Sequence, residues 1–260
     1  MHLNENDIRS KIGDLCTDLP IILYKTTDST NARAKEYAES GYCGNAVFIA
    51  SHQSAGRGRL GRSFISDEKK GLYLSVLLGK DAARASGLAI TTYMAVIACR
   101  ALEKLAPVKP EIKWVNDIYL GGKKLSGILT EGRINPNDGT LDYAVCGIGI
   151  NLLKQDFDDD VRKIATTLED ESGKKTDINL LVAEILREFF TNLTFVGTKE
   201  IAKEYKSRSF LIGKTVKVIK AGYEYDATVL DITRECELLV KTSDGSEELL
   251  FTGEVSLKLN

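Results

Sequence analysis

Three arginines separated by glycines form the part of this sequence whose residue types and spacing most clearly indicate chemistry. They lie in the segment Gly56-Arg57-Gly58-Arg59-Leu60-Gly61-Arg62-Ser63-Phe64, and no acidic residue occurs between Ser40 and Ser66. A guanidinium is always charged and presents a planar fork of donors, while glycine lets backbone N–H groups approach an anion. The segment therefore predicts an anion site on a loop that becomes ordered when a polyanion binds.

A second polar cluster, Thr26-Thr27-Asp28-Ser29-Thr30-Asn31, follows a short apolar run. One of these side chains is expected to cap the next helix, although a cap needs only one hydroxyl group. The remaining hydroxyl groups are open to a ligand, or the whole cluster is a cap alone.

Two further segments combine polar groups with predicted strands. Lys113-Trp114-Val115-Asn116-Asp117 is read as part of one strand, with Lys113, Val115 and Asp117 on one face. A turn at Asn116 and Asp117 is the alternative. Lys124 opens the following strand, either as a ligand-binding cation or as a solvated edge residue.

Glycines on alternate positions of a strand leave one face without side chains. Gly147 and Gly149 have this spacing, and Gly127 lies in the strand before them. A flat ligand, or another stretch of backbone, could lie against such a face.

The amino-acid composition is typical of a folded globular protein. The 260 residues, with 43% hydrophobic and 28% charged residues, can form a large domain or a medium domain with a small one. A formal net charge of −2 argues against a dedicated nucleic-acid-binding protein, although Arg-Gly runs also occur in RNA-binding segments. A non-enzymatic RNA-binding protein remains an alternative.

The number and spacing of the cysteines and histidines limit the kinds of site that the protein is expected to contain. Five scattered cysteines without a Cys-x-x-Cys pair predict reduced thiols, and two histidines argue against zinc or a histidine triad. No signal peptide or membrane-spanning run is evident, so a cytoplasmic protein with no membrane partner is expected.

The apolar patterns predict an α+β fold with a mixed or antiparallel sheet flanked by helices. Predicted strands are 21–24, 45–51, 71–78, 111–120, 124–131 and 140–152; predicted helices are 32–40, 82–105, 161–168, 178–193 and 199–207. Gly121-Gly122 indicates a hairpin turn, which favours antiparallel pairing over a doubly wound parallel sheet.

Near residue 210 the sequence pattern changes from helical segments to short β runs, which predicts a second domain. Short β runs at 215–220, 225–232, 237–241 and 247–251 indicate a small β-barrel. The predicted domains are therefore 1–209 and 210–260.

Taken in order, Ser29-Thr30-Asn31, Gln53, the arginine loop, KWVND, KKLSG and GIGIN resemble the catalytic domain of biotin protein ligases, which is class II synthetase-like. The resemblance covers about 21–152, and the tail is similar to the SH3-like domain of that family. It implies an enzyme that uses ATP to activate biotin to biotinyl-5′-AMP and transfers the biotinyl group to a lysine of a biotin carboxyl carrier protein. Since the match begins near residue 21, a monofunctional enzyme without a DNA-binding domain or DNA partner is expected. A homodimer is left open.

The resemblance also implies roles for individual residues. Ser29, Thr30 and Gln53 would bind the ureido ring of biotin. Arg57, Gly58 and Arg59 would line the carboxylate and phosphate site, with Arg62 on the nucleotide phosphates and Phe64 stacked on adenine. Further expected binding residues are Asn31, Gly56, Lys113, Asn116, Lys124, Gly127 and Gly149.

Catalysis is expected to depend on Lys124 and Arg59, because joining two anions requires cations that neutralise and align them. Mg²⁺ is expected with Asn116 or Asp117 as a direct or water-mediated ligand. Asp117 is also the candidate base for the acceptor lysine, so that it is base, metal ligand or both. A lipoate or octanoate ligase of the same superfamily is the nearest alternative.

Overall fold

The structure, a computed structural model, describes residues 2–61, 70–80, 82, 87–138, 140–220, 222–252 and 254–257. Its helices are α1 (Glu5–Ile12), α2 (Thr30–Glu39), α3 (Gly87–Leu105), α4 (Asp159–Ile164), α5 (Leu168–Ser172), α6 (Ile178–Thr191) and α7 (Lys199–Arg208). The strands of the first sheet are β1 (Ile21–Tyr24), β2 (Ala46–Ala50), β3 (Gly71–Gly79), β4 (Glu111–Lys113), β5 (Asp117–Leu120), β6 (Lys123–Ile134) and β7 (Leu141–Asn151). Those of the second are β8 (Thr215–Lys220), β9 (Tyr223–Ile232), β10 (Leu238–Thr242), β11 (Glu247–Leu250) and β12 (Glu254–Leu257).

The first sheet has the order β1-β2-β3-β7-β6-β5-β4. Only the β1–β2 pair is parallel among its described pairs, so the sheet is mixed and the predicted fold class is confirmed. Gly121 and Gly122, both with positive φ, form the predicted turn between β5 and β6.

Side chains alternate between the two faces of the first sheet, and each face packs against different helices. On one face, β3 and β7 bury apolar side chains against α3 and α6. Helix α2 packs on the opposite face, over Phe48, Leu77 and Val145. Helix α3 is buried on all sides from Ile90 to Leu102 except at Arg100, which explains its apolar sequence. Among the described residues, no helix has the length and apolar character needed to cross a membrane.

The tail folds into an antiparallel sheet with the order β11-β10-β9-β8-β12. Strand β12 was not predicted, because it follows β11 after a connection too short to stand out in the sequence. It pairs with β8, where Val255 lies opposite Val218. Buried residues of both sheets belong to one continuous core, so the division at 209/210 stays a prediction.

The prediction of one strand over 111–120 is wrong. The chain reverses at 114–116, and β4 and β5 form a hairpin in which Lys113 lies opposite Asp117. The alternation expected for Lys113, Val115 and Asp117 therefore does not apply. Similarly, the single helix predicted at 161–168 is replaced by α4 and α5.

Distant hydrogen-bond partners explain the reversal at 114–116. The indole N–H of Trp114 donates to the carbonyl oxygen of Cys236 at 2.9 Å, and both groups are buried. The buried Tyr205 hydroxyl donates to the carbonyl oxygen of Val115 at 2.9 Å. These tertiary contacts override the local strand preference, since a buried polar group without a partner costs more than a strand conformation gains.

An ion cluster fastens α7, and with it Tyr205, to α3. Glu204 accepts hydrogen bonds from Arg100 and Arg208, and Arg208 also binds both carboxylate oxygens of Glu103 at 2.7 and 2.9 Å. Burial raises the pKa of Glu204, but the hydrogen bonds from both arginines outweigh it and hold that pKa below its usual value. The Glu204 carboxylate therefore stabilises the folded protein in its ionised form.

Replacing Glu204 by Gln should lower the free energy of unfolding by about 2 kcal/mol at pH 7, since charge-assisted hydrogen bonds are lost. A carboxyl group with a lowered pKa in the folded state stabilises above its unfolded pKa of about 4.3. The stabilisation is lost as the pH falls through the folded pKa. Urea unfolding from pH 7 downwards should therefore show the difference shrinking in acid. The exposed Glu200→Gln is the matched control on α7; an equal loss at every pH would contradict the assignment.

Candidate active site

A strip without side chains runs across the first sheet on the face that carries α2. Gly127 lies opposite Gly149 on β6 and β7, and Gly147 lies two residues before Gly149 on the same face. The strip forms the floor of a cavity of about 140 Å³. A single water needs roughly 10–15 Å³, so the cavity is large enough for a small molecule.

The first turn of α2 closes one end of this cavity. Ser29, Thr30 and Asn31 are buried and line it. Ser29 occupies the cap position, but its side chain makes no capping hydrogen bond. Instead, Oε1 of Gln53 accepts from the backbone N–H of Thr30 at 2.7 Å and lies 3.0 Å from its hydroxyl oxygen. Gln53, 23 positions away, thus caps the helix and lines the cavity.

The arginine loop supplies the second wall. Arg57, Gly58 and Arg59 line the cavity, and Nη1 of Arg59 donates to Oδ1 of Asn116 at 3.2 Å. Gly56 is buried and is not among the lining residues. The predicted site residues Arg62 and Phe64 lie outside the described residues.

The 114–116 reversal and the start of β6 form the third wall. The amide of Asn116 donates to the carbonyl oxygen of Ile128 at 2.8 Å, which fixes the turn on β6. Nζ of Lys124 lies 2.6 Å from Oδ1 of Asp117, and both residues are partly buried. Lys113 also lines the cavity, with its Nζ 5.9 Å from the centre of the Tyr119 ring.

The charges of the lining residues favour an anion. Four cations, Arg57, Arg59, Lys113 and Lys124, face the cavity, whereas Asp117 is the one carboxylate among the described lining residues. The positive end of the α2 dipole adds to this field. A cleft lined mainly by one sign of charge concentrates the field and attracts ligands of the opposite sign.

Sequence reasoning missed several lining residues. They are Trp114, Ile128, Leu129, Ile148 and Val255. Gly147, which its spacing from Gly149 had indicated as part of a flat face, does line the cavity. Val255, on β12, brings the second sheet to the cavity, and nothing in the sequence indicates this.

A carboxylate outside the cavity supports the α2 turn. Nζ of Lys35 donates to Oε1 of Glu131 at 2.6 Å, and Nδ2 of Asn31 donates to Oε2 at 2.8 Å. Burial raises the pKa of Glu131, but these hydrogen bonds and the charges of Lys35 and Arg57 outweigh it, so that pKa is lowered. Glu131 is therefore a hydrogen-bond acceptor only.

Oxygen donors for a metal ion are few. In the part of the chain that the structure describes, no three His, Cys, Asp or Glu residues cluster as a metal site. Asn116 and Asp117 do line the cavity, and each has a side-chain oxygen beside a cation. This donor set fits Mg²⁺ when phosphate oxygens and water complete its coordination, as is usual for that ion.

Comparisons with known proteins agree with this geometry. Residues 23–151 match the Biotin/lipoate A/B protein ligase family, and residues 211–258 match the Biotin protein ligase C terminal domain. The chain is 29% identical to the bifunctional ligase/repressor BirA of Bacillus subtilis, over 98% of this chain and 79% of that protein. It is 31% identical to the biotin–[acetyl-CoA-carboxylase] ligase of Mycobacterium tuberculosis, over 88% of this chain and 85% of that protein.

A solved structure shares both parts of the fold. The biotin protein ligase from Aquifex aeolicus, in complex with biotin and ATP, superposes with a TM-score of 0.79 and 29% identity, covering 93% of this chain and 99% of that one. Both sheets are therefore parts of one known architecture. On this evidence the chain belongs to the biotin/lipoate A/B protein ligase family and carries the C-terminal domain of its biotin protein ligases.

Proposed function

We propose that the protein is a biotin protein ligase, which activates biotin with ATP to biotinyl-5′-AMP and transfers the biotinyl group to a lysine of a biotin carboxyl carrier protein. The observation that carries the proposal is the convergence of Arg57, Arg59, Lys113 and Lys124 on a side-chain-free floor beside the polar start of α2. Two relatives, which match 88% and 73% of this chain, and a solved structure that matches 93% of it are named as biotin ligases.

The cations serve the first chemical step. An oxygen of the biotin carboxylate attacks the α-phosphorus of ATP, and the bond to the pyrophosphate leaving group breaks. Both reactants are anions, so their approach requires fixed positive charge. Lys124 and Arg59, which both line the cavity, would hold the carboxylate and phosphoryl oxygens in line.

The polar end of the cavity serves recognition of biotin. A cyclic urea has N–H donors and a carbonyl acceptor on one edge. Thr30, Ser29 and Gln53 offer both kinds of partner at the buried end of the floor. The flat glycine strip would accept the bicyclic ring, because no Cβ atoms rise from it.

In the second step, the ε-amine of the acceptor lysine attacks the acyl carbon and AMP leaves with the bonding electrons. That amine has an ordinary pKa of about 10.4 and must lose a proton first. Asp117 is the proposed base. Its Oδ1 lies 2.6 Å from Nζ of Lys124, so the two proposed catalytic groups are in contact.

Mg²⁺ belongs to this proposal and would be held in the first step by Asn116 or Asp117, directly or through water. When bound, it would neutralise phosphate charge. A carrier protein as acceptor, a homodimer, the absence of a DNA partner and a cytoplasmic location stay predictions.

ATP–pyrophosphate exchange with biotin, lipoate, octanoate or no acid tests the function directly. Exchange with biotin alone is expected, since the other acids lack directed hydrogen-bond partners for the α2 turn. Exchange with lipoate or octanoate alone would retain the chemistry and overturn the substrate. No exchange with any acid, together with salt-dependent RNA binding, would favour the binding-protein alternative.

Replacing Lys124 by Ala should slow adenylation by about 10²- to 10³-fold, the usual effect of losing one preorganised group that stabilises transition-state charge. Initial rates of pyrophosphate exchange at saturating biotin and ATP measure it. Lys123→Ala is the matched control, because the adjacent Lys123 binds the carbonyl oxygen of Arg162 at the surface. Exchange at the full rate in the Lys124 variant would remove this lysine from the mechanism.

Replacing Arg59 by Ala should release biotinyl-AMP about 10- to 100-fold faster, since charge-assisted hydrogen bonds contribute roughly 1.5–3 kcal/mol. Rapid gel filtration of protein loaded with labelled biotin and ATP measures the retained intermediate. Arg59→Lys should show partial loss, because it keeps the charge without the planar fork. Arg133→Ala, at the exposed end of β6, is the surface control. Retention equal to that of the unsubstituted protein would contradict the role.

A further inference from the structure

A hydrogen bond joins the fully buried Tyr205 on α7 to the turn that forms the third wall of the cavity. The Tyr205 hydroxyl donates to the carbonyl oxygen of Val115 at 2.9 Å, and Val115 is itself buried. Neither of these residues is among those that line the cavity, but Trp114 and Asn116, on either side of Val115, are. Tyr205 therefore lies directly behind the cavity wall.

Each of the three residues of this turn is held by a different part of the molecule. The indole N–H of Trp114 is bound to the tail, at the carbonyl oxygen of Cys236. Asn116 is bound to β6, where its carbonyl oxygen accepts from the N–H of Ile128 at 2.9 Å and its amide donates to the Ile128 carbonyl at 2.8 Å. The Tyr205 hydroxyl holds the residue between them.

The orientation of the peptide group between Val115 and Asn116 depends on Tyr205. Among the hydrogen bonds of the described residues, the Tyr205 hydroxyl is the one donor to the Val115 carbonyl oxygen. A buried carbonyl oxygen without a donor is costly, so the peptide group would rotate towards another donor if the hydroxyl were removed. That rotation changes φ of Asn116 and with it the direction in which the side chain leaves the backbone.

The Asn116 side chain connects this turn to the arginine loop. Because its NH₂ group is bound to Ile128, its Oδ1 is available on the other side and accepts from Nη1 of Arg59 at 3.2 Å. About 3.2 Å is the upper end of the usual range for an N–H···O hydrogen bond. A shift of Asn116 by a few tenths of an ångström would therefore weaken its hold on Arg59.

The Tyr205 hydroxyl is a permanent donor near neutral pH. Burial raises its pKa well above the ordinary value, and Cys236 and Asp117 raise that pKa further, whereas the charge of Arg59 lowers it. The influence of Asp117 and Arg59 also indicates that the hydroxyl lies close to both site residues. Helix α7 is fastened to α3 through Glu204, so the donor has a fixed position.

We propose that Tyr205 is a positioning residue for the adenylation step, which acts through the Val115 carbonyl group and Asn116 to hold Arg59 in place. This inference rests on the proposed function, in which Arg59 binds the carboxylate and phosphoryl oxygens. A displacement of about 1 Å in such a group reduces a rate by as much as about 10²-fold. Tyr205 thus contributes to the reaction without contact with the substrate.

Tyr205→Phe tests this role, because it removes the hydroxyl group and keeps the ring that fills the core. The initial rate of biotin-dependent pyrophosphate exchange, at saturating biotin and ATP, should fall about tenfold as Arg59 loses its fixed position. Thermal unfolding verifies that the variant is folded. An exchange rate within about twofold of that of the unsubstituted enzyme would overturn the inference.

Tyr93→Phe is the matched control. Tyr93 is also fully buried, and its hydroxyl donates to the carbonyl oxygen of Phe189 at 2.5 Å, between α3 and α6 and outside the cavity lining. Both variants lose one buried hydrogen bond, so their melting temperatures should fall to a similar extent. The exchange rate should fall in Tyr205→Phe and not in Tyr93→Phe. Equal slowing in both would assign the effect to a general loss of stability and contradict the proposal.

The background variant Asn116→Ala tests the route by which Tyr205 acts. Without the Asn116 side chain, the hydroxyl has no group to present to Arg59. Adding Tyr205→Phe to Asn116→Ala should therefore change the exchange rate by less than about twofold, because the two residues act as one unit. A further tenfold fall would show that Tyr205 acts elsewhere. Absence of biotin-dependent exchange in the unsubstituted protein would instead overturn the proposed function.

Discussion

The approach of α2 to the glycine strip is the contact on which the rest of the site depends. The Asn31 side chain occupies the volume that a side chain at Gly147 would fill. Close packing at this point brings the helix N-terminus, with its partial positive charge, against the sheet. The glycines that admit the helix also leave a level floor beside it. One stretch of backbone therefore determines both the polar end and the flat end of the cavity.

The second sheet is part of the site's construction. The carbonyl oxygen of Cys236 accepts the Trp114 indole N–H, while Tyr205 on α7 holds the next residue of the same turn. That turn presents Asn116 and leads into the strand that carries Asp117. Val255 reaches the cavity itself. Residues separated by about half the chain thus determine the geometry of the anion-binding groups.

Local patterns predicted much of this molecule. Apolar alternation and turn glycines led to the mixed sheet, and residue chemistry identified most of the cavity lining. The 114–116 reversal could not be predicted, because its decisive partners, Cys236 and Tyr205, are distant in sequence. The capping of α2 by Gln53 depends on a tertiary contact in the same way. The roles of Arg62 and Phe64 stay predictions.

The chain contains one tryptophan, and it lies at the joint between the two sheets. Trp114 is buried, and its indole N–H is bound to the tail rather than to its own sheet. Its fluorescence is therefore an intrinsic optical probe of this joint. Separation of the sheets would expose the ring to water and shift its emission to the red, without any label. Equilibrium and stopped-flow traces at this single wavelength would follow the docking of the tail on the catalytic turn.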